Sequence, residues 1–409
     1  MNIVIAGAGI AGLSAAEAAR SHDPKAGIVL FSAERQRPYY RPRLPQVVSG
    51  EVSPDQIYVH PEEWFRERSI EFRLGESLIE VNPESRLARG SLGSRLSYDR
   101  LLIATGAAPF LPDAARNFKL PGVYPLRTLL DATDLRHAAR KARTAVLLGS
   151  GLLGLEAGHA LTEAGLTVHV LEMSDRVLPF QTTPRSSAKL RKILEAKSFI
   201  FHLEAEAERA EGAERLERVV LKSGAGINCE LLAVSAGIVP EVSLASALGL
   251  KTERGIVVDQ FLETTSPGVY AAGDCAQTPD RRGGMWIIAR AEGLAAGFNI
   301  AQADPAARKP YAPPRPTAVL KVAGVDLTAV GNIDPEGKLP AAECEEGDVY
   351  RKVVLSPAGL LIGFTVLGTR NGVAELTGAM GKAVPGDVLE ALSEPGFDFS
   401  RLRDLRLPD

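Results

Sequence analysis

The sequence predicts an α/β protein: two nested βαβ units of like build, followed by a C-terminal α+β unit. Three observations predict it. A short apolar run leads into a Gly-x-Gly-x-x-Gly turn at Gly7–Gly12 and on into an Ala-rich stretch. The same succession returns about 140 residues later, at Gly149–Gly154. Beyond a proline-rich segment the pattern changes to short β-rich runs. A repeat of this kind argues for two nucleotide-binding units in one chain.

In chain order, Asn2–Ala6 reads as a buried parallel strand, Gly7–Gly12 as the turn and Leu13–Arg20 as the helix. Gly27–Phe31 is a second strand, with Glu34 just after it. Leu101–Gly106 is an apolar strand ending in Thr105-Gly106. In the second unit Thr144–Leu148 is the strand, Leu155–Ala164 the helix and Leu166–Leu171 the next strand, ending at Glu172. Leu231–Gly237 is similar to the Thr-Gly strand, and Val269–Asp274 is again a strand, ending in Gly273-Asp274. Ala307–Pro316 carries three charges and four prolines and reads as a linker. Strands follow at Thr317–Val322, Val349–Leu355 and Leu360–Leu367, then a helix near Ala374–Gly381. The expected division is residues 1–108 with 237–309 for the first unit, 109–236 for the second and 310–409 for the third.

A chain of 409 residues has room for roughly two to four domains. With 45% hydrophobic and 24% charged residues it is no disordered chain, collagen-like fibre or coiled-coil rod. Lys and Arg total 47 against 50 Asp and Glu, so the net charge of −3 argues against nucleic acid as a partner. Cys229, Cys275 and Cys344 lie far apart and form no CxxC. That excludes a zinc ribbon, an iron–sulfur ligand set and a thioredoxin-like dithiol, and it suits a reducing compartment. The histidines show no metal spacing, and His159 and His169 read as structural. Residues Ile3–Ala19 are apolar, but no Lys or Arg precedes them and Glu17 interrupts them, unlike a secretory signal. No run of about 18 apolar residues predicts a membrane span. The expectation is a cytoplasmic protein.

Each glycine turn follows a strand, opens a helix and has an acid at the end of the next strand. The first glycine permits the tight turn, the second lets backbone approach a pyrophosphate, and the third lets helix and strand pack. The helix N-terminus then offers N–H groups and partial positive charge to phosphates. Glu34 lies 22 residues after Gly12, and Glu172 lies 18 after Gly154. Each is placed to accept hydrogen bonds from an adenosine ribose. A carboxylate there repels a 2′-phosphate, so Glu172 favours NADH over NADPH, although Arg176 stands nearby.

Taken together, these motifs resemble the FAD-dependent pyridine-nucleotide-disulfide oxidoreductase superfamily over nearly the whole chain. They are Gly7–Gly12, Tyr98-Asp99 with Ala104-Thr105-Gly106, Gly149–Gly154 with Glu172, and Tyr270–Asp274. The segment Pro38–Leu44, and Leu320–Val322 with Val325–Leu327, look like the branch of NADH:rubredoxin reductases. That branch stands close to oxygenase ferredoxin reductases and the flavoprotein part of nitrite reductases. The resemblance implies two nested Rossmann-like domains, for FAD and for NAD. Gly7, Gly9 and Gly12 would meet the FAD pyrophosphate, Glu34 its ribose and Asp274 its ribityl or pyrophosphate region. Arg41, Pro42, Thr105, Gly106 and Gly237 would complete the FAD site, with the chain re-entering that domain near Gly237–Pro240. Gly149, Gly151, Gly154 and Glu172 would bind NADH. Glu156 would lie near the nicotinamide and flavin ring, and Trp286, seven residues before Gly293, matches a flavin-side aromatic.

The departures narrow the chemistry. Disulfide reductases carry two cysteines in the stretch matching Arg41–Gly50, and NADH oxidases and peroxidases one; here there is none. Their C-terminal acid/base histidine is also missing, since the last histidine is His202. Thiol chemistry is thus set aside. The oxygenase-type reductases have a lysine where this chain has Gln46. What the resemblance leaves is hydride transfer from NADH to flavin N5, then single electrons to a small carrier such as rubredoxin or ferredoxin. A flavin NADH oxidase, a module feeding a nitrite-reductase-like partner, and a non-enzymatic NADH-sensing flavoprotein stay open, as do monomer and homodimer. Arg41, Arg43, Arg281, Arg282, Arg290 and Lys321 are candidates for a basic rim that docks an acidic carrier.

Overall fold

The computed structural model describes residues 1–116, 120–278, 284–322 and 324–407. Two parallel five-stranded sheets dominate it. The first runs Val269–Ala271, Arg100–Ile103, Asn2–Ala6, Gly27–Ser32, Ile70–Leu74. The second runs Val123–Pro125, Leu231–Val234, Thr144–Leu148, Thr167–Leu171, Phe199–His202. Helices and loops cover both faces of the central strands, so these strands are apolar throughout: Ile3 to Ala6 and Ala145 to Leu148 are all buried. Each sheet also carries a three-stranded antiparallel meander, at Leu78–Ser97 and Ala207–Asn228. The internal repeat thus extends beyond the glycine turns.

The second helix begins at Leu152, three residues before the apolar pattern marks it. Gly151 is its N-cap, so the first turn sits inside the glycine motif, where no core-facing residue announces it. The two units are joined by a short antiparallel pair, Ala107–Pro109 with Ile238–Pro240.

Helices Ile10–His22 and Trp286–Ile300 pack side by side, backbone against backbone. A Cβ built on Gly293 would stand 2.2 Å from the Ala11 carbonyl oxygen, and one on Gly297 2.3 Å from that of Ala15. The contacts advance together along both chains, so the helices are parallel. Trp286 lies six residues before Glu292, the position level with Ile10 in this pairing, so it projects roughly 9 Å beyond the first helix.

The C-terminal unit is an antiparallel sheet in the order Thr317–Val322, Val325–Gly331, Leu361–Leu367, Val349–Leu355, Ala341–Glu346. One face packs under helices Val373–Ala379 and Gly386–Ala391. From the other, Leu320, Val322, Tyr350 and Leu367 enter the core of the second unit. Thr183 Oγ1 donates to Tyr350 Oη at 2.9 Å across this junction, and Thr365 Oγ1 to the Gln181 carbonyl at 3.2 Å. The segment expected to be a linker is instead tied down. Arg308 pairs with Glu263 at 2.6 Å with both side chains 14% exposed, and Tyr311 N–H donates to the Gln260 carbonyl at 2.7 Å. Prolines bar helix and ladder bonds, but they do not bar an ordered path held by its flanking polar groups.

The glycine contact between the helices sets a stability prediction. Gly297→Leu should overpack the crossing and cost about 1–3 kcal/mol in chemical denaturation. An unchanged denaturation midpoint would mean the helices separate easily, against the distances above.

Candidate functional site

A cavity of about 650 Å³ opens at the carboxyl end of the first sheet, where both glycine-turn helices begin. Gly7, Gly9, Glu34, Arg41, Pro42, Thr105, Gly106, Glu156, Asp274 and Trp286 all line it. Gly12, Gly149, Gly151, Gly154, Glu172 and Gly237 do not.

The glycines divide their work the same way in both turns. Gly7 has φ +111°, and a Cβ there would lie 2.2 Å from the Ala104 carbonyl oxygen. Gly149 has φ +95° and would meet the Ser235 carbonyl oxygen at 2.5 Å. A Cβ on Gly12 or Gly154 would stand 1.9 or 2.9 Å from the carbonyl oxygen of Gly7 or Gly149. Gly9 and Gly151 are different: a Cβ on either meets no protein atom within 4 Å. These two are the helix N-caps, with no side-chain cap, so helix N–H groups are open to an incoming anion.

Glu34 sits in a polar cluster. Tyr39 Oη donates to its Oε2 at 2.7 Å and Arg41 Nη2 to its Oε1 at 3.0 Å. The Leu129 N–H donates in turn to Tyr39 Oη at 3.0 Å. Burial and the Glu34 charge push the Tyr39 phenol well above its usual range, so it stays a donor. A carboxylate has further lone pairs, and Glu34 keeps acceptor capacity for a ribose. Arg41 also donates to the Arg127 carbonyl. Arg127 itself was not singled out in the sequence. Its Nη2 pairs with Asp274 Oδ2 at 2.9 Å and its Nε donates to the Ala107 carbonyl at 3.0 Å. It belongs to no motif, and only the fold brings it to the Gly-Asp turn. Thr105 Oγ1 donates to the Glu241 carbonyl at 2.7 Å, which ties the Thr-Gly turn to the segment re-entering from the second unit. The Gly237 carbonyl accepts from Phe110 N–H in the same ribbon.

On the far wall, Trp286 stacks on Tyr40 with ring centroids 5.4 Å apart. Its Nε1–H is buried with no hydrogen-bond partner among the described residues. Leu152, Leu153 and Glu156 face the cavity from the second unit, and Thr317, Ala318 and Val319 from the edge strand of the C-terminal unit. Burial pushes the Glu156 carboxyl up to about 7, against the opposing pull of the Lys321 backbone and ammonium. Gln46 takes no part: it is held by Arg43 at 2.6 Å and Glu51 at 3.1 Å.

In the second unit, Glu172 Oε2 accepts from the Ser150 N–H at 3.0 Å and hydroxyl at 2.6 Å, and Oε1 from Ser174 N–H at 2.9 Å. The acid is thereby fixed beside the glycine turn. The proposed basic rim assembles only in part. Arg41 turns to Glu34, Arg43 to Gln46 and the Gln56 carbonyl, while Arg290 and Lys321 are exposed; Arg281 and Arg282 lie outside the described residues. No described residue lining the cavity is a cysteine. Burial raises the Cys229 thiol to about 12, and Cys275 is fully buried. His169 and His202 bond to each other at 3.0 Å, and among the described residues no cluster suits a metal ion. No described helix is long and apolar enough to cross a membrane.

Two glycine-turn helices that open on one cavity, the first with its turn in the lining and the second with Leu152, Leu153 and Glu156, define a two-nucleotide oxidoreductase fold. The chain belongs to the pyridine nucleotide-disulphide oxidoreductase family, whose profile matches residues 1–293. It is 34% identical over 278 residues to a rubredoxin-NAD(+) reductase of Pseudomonas putida, covering 68% of this chain and 72% of that one. It is 31% identical to the ferredoxin–NAD(+) reductase component of a biphenyl dioxygenase system of Paraburkholderia xenovorans, covering 82% of each. An assimilatory nitrate reductase electron transfer subunit of Bacillus subtilis is 31% identical over 86% of this chain. The chain spans less than half of that relative, 46%, and 44% of a Bacillus subtilis nitrite reductase. A ferredoxin reductase from Rhodopseudomonas palustris superposes with a TM-score of 0.87 at 27% identity, over 98% of this chain and 99% of that one. Members of the family bind FAD and NAD(H). The cavity fits FAD: Gly9 leaves open the space a side chain would fill, and the Trp286 Nε1–H lacks a partner.

Two predictions follow from this geometry. Gly9→Ala puts a methyl group into ligand space with no protein atom within 4 Å of it. The apoprotein should therefore stay within about 0.5 kcal/mol of the unsubstituted chain while retained FAD falls sharply. Equal FAD content would remove Gly9 from the site. Glu156 makes stability pH-dependent. Its folded pKa, about 7, lies above the ordinary value of 4.5, so the folded state binds the extra proton. The neutral form's advantage is fully present below about 4.5 and lost as pH rises through about 7. Denaturation at pH 5 and 8 should show a loss of order 2–3 kcal/mol that Glu156→Gln abolishes. The same slope in both proteins would contradict the raised pKa.

Proposed function

We propose that the chain is an FAD-dependent NADH:acceptor oxidoreductase that passes electrons to a small one-electron carrier such as a rubredoxin or ferredoxin, without a redox-active disulfide. The observation that carries the reading is a single cavity that joins the first glycine turn, Trp286 and Glu156 and has no described cysteine in its lining. The Pseudomonas putida and Paraburkholderia xenovorans relatives, a rubredoxin reductase and a ferredoxin reductase, support the acceptor class.

Bound FAD would supply an acceptor for hydride and a donor of single electrons. The protein's part is placement. Gly7, Gly9 and the helix N-terminus at Ile10 would hold the pyrophosphate, Glu34 the ribose, and Asp274 with Arg127 the middle of the molecule. Gly149, Gly151, Gly154 and Glu172 would seat the coenzyme, leaving its nicotinamide end beside Leu152, Leu153 and Glu156. Glu156, close to half-protonated at neutral pH, can hold or release a proton at the cavity as electrons pass. Trp286, Tyr40 and Val319 shield the opposite side. The exposed Lys321 and Arg290 give an acidic carrier a local positive field on a chain of net charge −3. A second reading, a flavoprotein section of a longer reductase, is favoured by the two Bacillus subtilis relatives that extend well beyond this chain.

Anaerobic stopped-flow with NADH tests the proposal. NADH should bleach the flavin, and a rubredoxin or ferredoxin should restore its colour at a rate that falls with salt. Replacement of all three cysteines (Cys229→Ser, Cys275→Ala, Cys344→Ser) should leave bleaching nearly unchanged. A loss above about tenfold with FAD retained, about 1.4 kcal/mol in the barrier, would return a thiol to the mechanism.

A further inference from the structure

The loop after Glu172 belongs to two units at once. Its far end is pinned to the C-terminal unit through Gln181 with Thr365 and Thr183 with Tyr350. Its middle is pinned by Arg176. Arg176 Nε donates to Asp175 Oδ1 at 2.8 Å, and Nη2 to Glu336 Oε1 at 2.9 Å. Glu336 follows the strand Val325–Gly331 of the C-terminal unit. The Arg176 side chain is 13% exposed, and Nη1 is buried with no hydrogen-bond partner among the described residues.

A guanidinium just past the acid that ends the second strand is the group that can take the 2′-phosphate of NADPH. Phosphate recognition by arginine works through its paired N–H fork. Here both edges of the fork are committed to carboxylates, and the remaining nitrogen is buried. Two carboxylates, Asp175 and Glu336, pair with this guanidinium, and a third, Glu172, stands four residues before it in the chain. A phosphate arriving there meets net negative charge.

We infer that Glu336 is a specificity-determining residue for the nicotinamide coenzyme: it draws Arg176 onto the C-terminal unit, away from the adenosine 2′ position, and so keeps the site selective for NADH. The inference rests on the reading of the second unit as the coenzyme site. Glu336 is a positioning residue; it acts through Arg176 and belongs to neither glycine turn nor cavity. Coenzyme choice thereby depends on a contact between two units and not on the nucleotide-binding unit alone.

The FAD-loaded protein is titrated with two probes, AMP and adenosine 2′,5′-bisphosphate, and KM and kcat for NADH and NADPH are measured with ferricyanide. Glu336→Gln should tighten adenosine 2′,5′-bisphosphate about tenfold. It should lower KM for NADPH at unchanged kcat, and leave AMP and NADH as they were. Glu336→Asp, which keeps the charge, should behave as the unsubstituted protein. Adding Arg176→Ala to Glu336→Gln should cancel the gain. Glu336 is 56% exposed, so its replacement opens no core. An unchanged NADPH to NADH ratio in Glu336→Gln, or a gain that survives Arg176→Ala, overturns the inference. An unsubstituted protein that prefers NADPH overturns it as well, whereas one that binds neither probe overturns instead the reading of the second unit, so the two failures are told apart.

Discussion

The site depends on backbone passing close to backbone with no side chain between. Gly12 lies against the Gly7 carbonyl, Gly7 against that of Ala104, and Gly293 and Gly297 against those of Ala11 and Ala15. The first two approaches bring the end of the central strand, the helix start and the Thr-Gly turn into one wall. The third fixes the other helix beside them and carries Trp286 out over the opening. A methyl group at any of these places would push apart elements whose spacing defines the cavity. Gly9 and Gly151 are the exceptions that give the pattern its meaning. The fold leaves room for a side chain there, so their glycine is explained by what must come close from outside.

Charge is arranged around that wall unequally. On the first unit's side both acids are matched: Glu34 with Arg41, Asp274 with Arg127. Glu156, on the second unit's side, has no such ion pair among the described residues, and burial raises its pKa to about 7. The absence of a lysine in Arg41–Gly50 is one cause, because Gln46 is drawn away to Arg43 and Glu51. The cation nearest to Glu156 in effect is Lys321, which comes from the third unit and is solvated, so its pull is weak. A cavity acid that is neither fixed as an anion nor fixed as an acid is able to respond to charge arriving beside it.

The fold class was legible because its signals are local. Strand, turn, helix and acid lie within about 30 residues in each unit, and the alternation of apolar run with glycine turn survives any tertiary context. The three-stranded meanders were not read. Strands such as Leu78–Asn82 and Ala207–Glu211 are largely exposed and polar, with no run to mark them. At the site the difference has the same cause. Gly7, Gly9, Asp274 and Trp286 sit in motifs or at fixed distances from them. Arg127 and the Tyr39 hydroxyl bridge contribute as much to the wall, but their partners are 147 and 90 residues away in sequence. The tied-down segment around Arg308 misled for a related reason. Composition reports what backbone bonds a segment cannot make, not which side chains reach it.

The C-terminal unit joins these threads. It lines the cavity with Thr317–Val319 and grips the second unit through a mixed interface, Leu320 and Tyr350 in a shared apolar core and Thr183, Gln181 and Arg176 as polar partners. Apolar area alone would favour contact at almost any rotation. A buried hydroxyl pair such as Thr183–Tyr350 tolerates little rotation, since displacement breaks a directional hydrogen bond inside the core. The polar contacts therefore set the angle at which the unit docks. That angle decides where Val319 meets the cavity and where Glu336 meets the loop after Glu172. One docking geometry thus places both the cavity's outer wall and the acid that holds Arg176, although the first lies on an edge strand and the second in the loop after its neighbour.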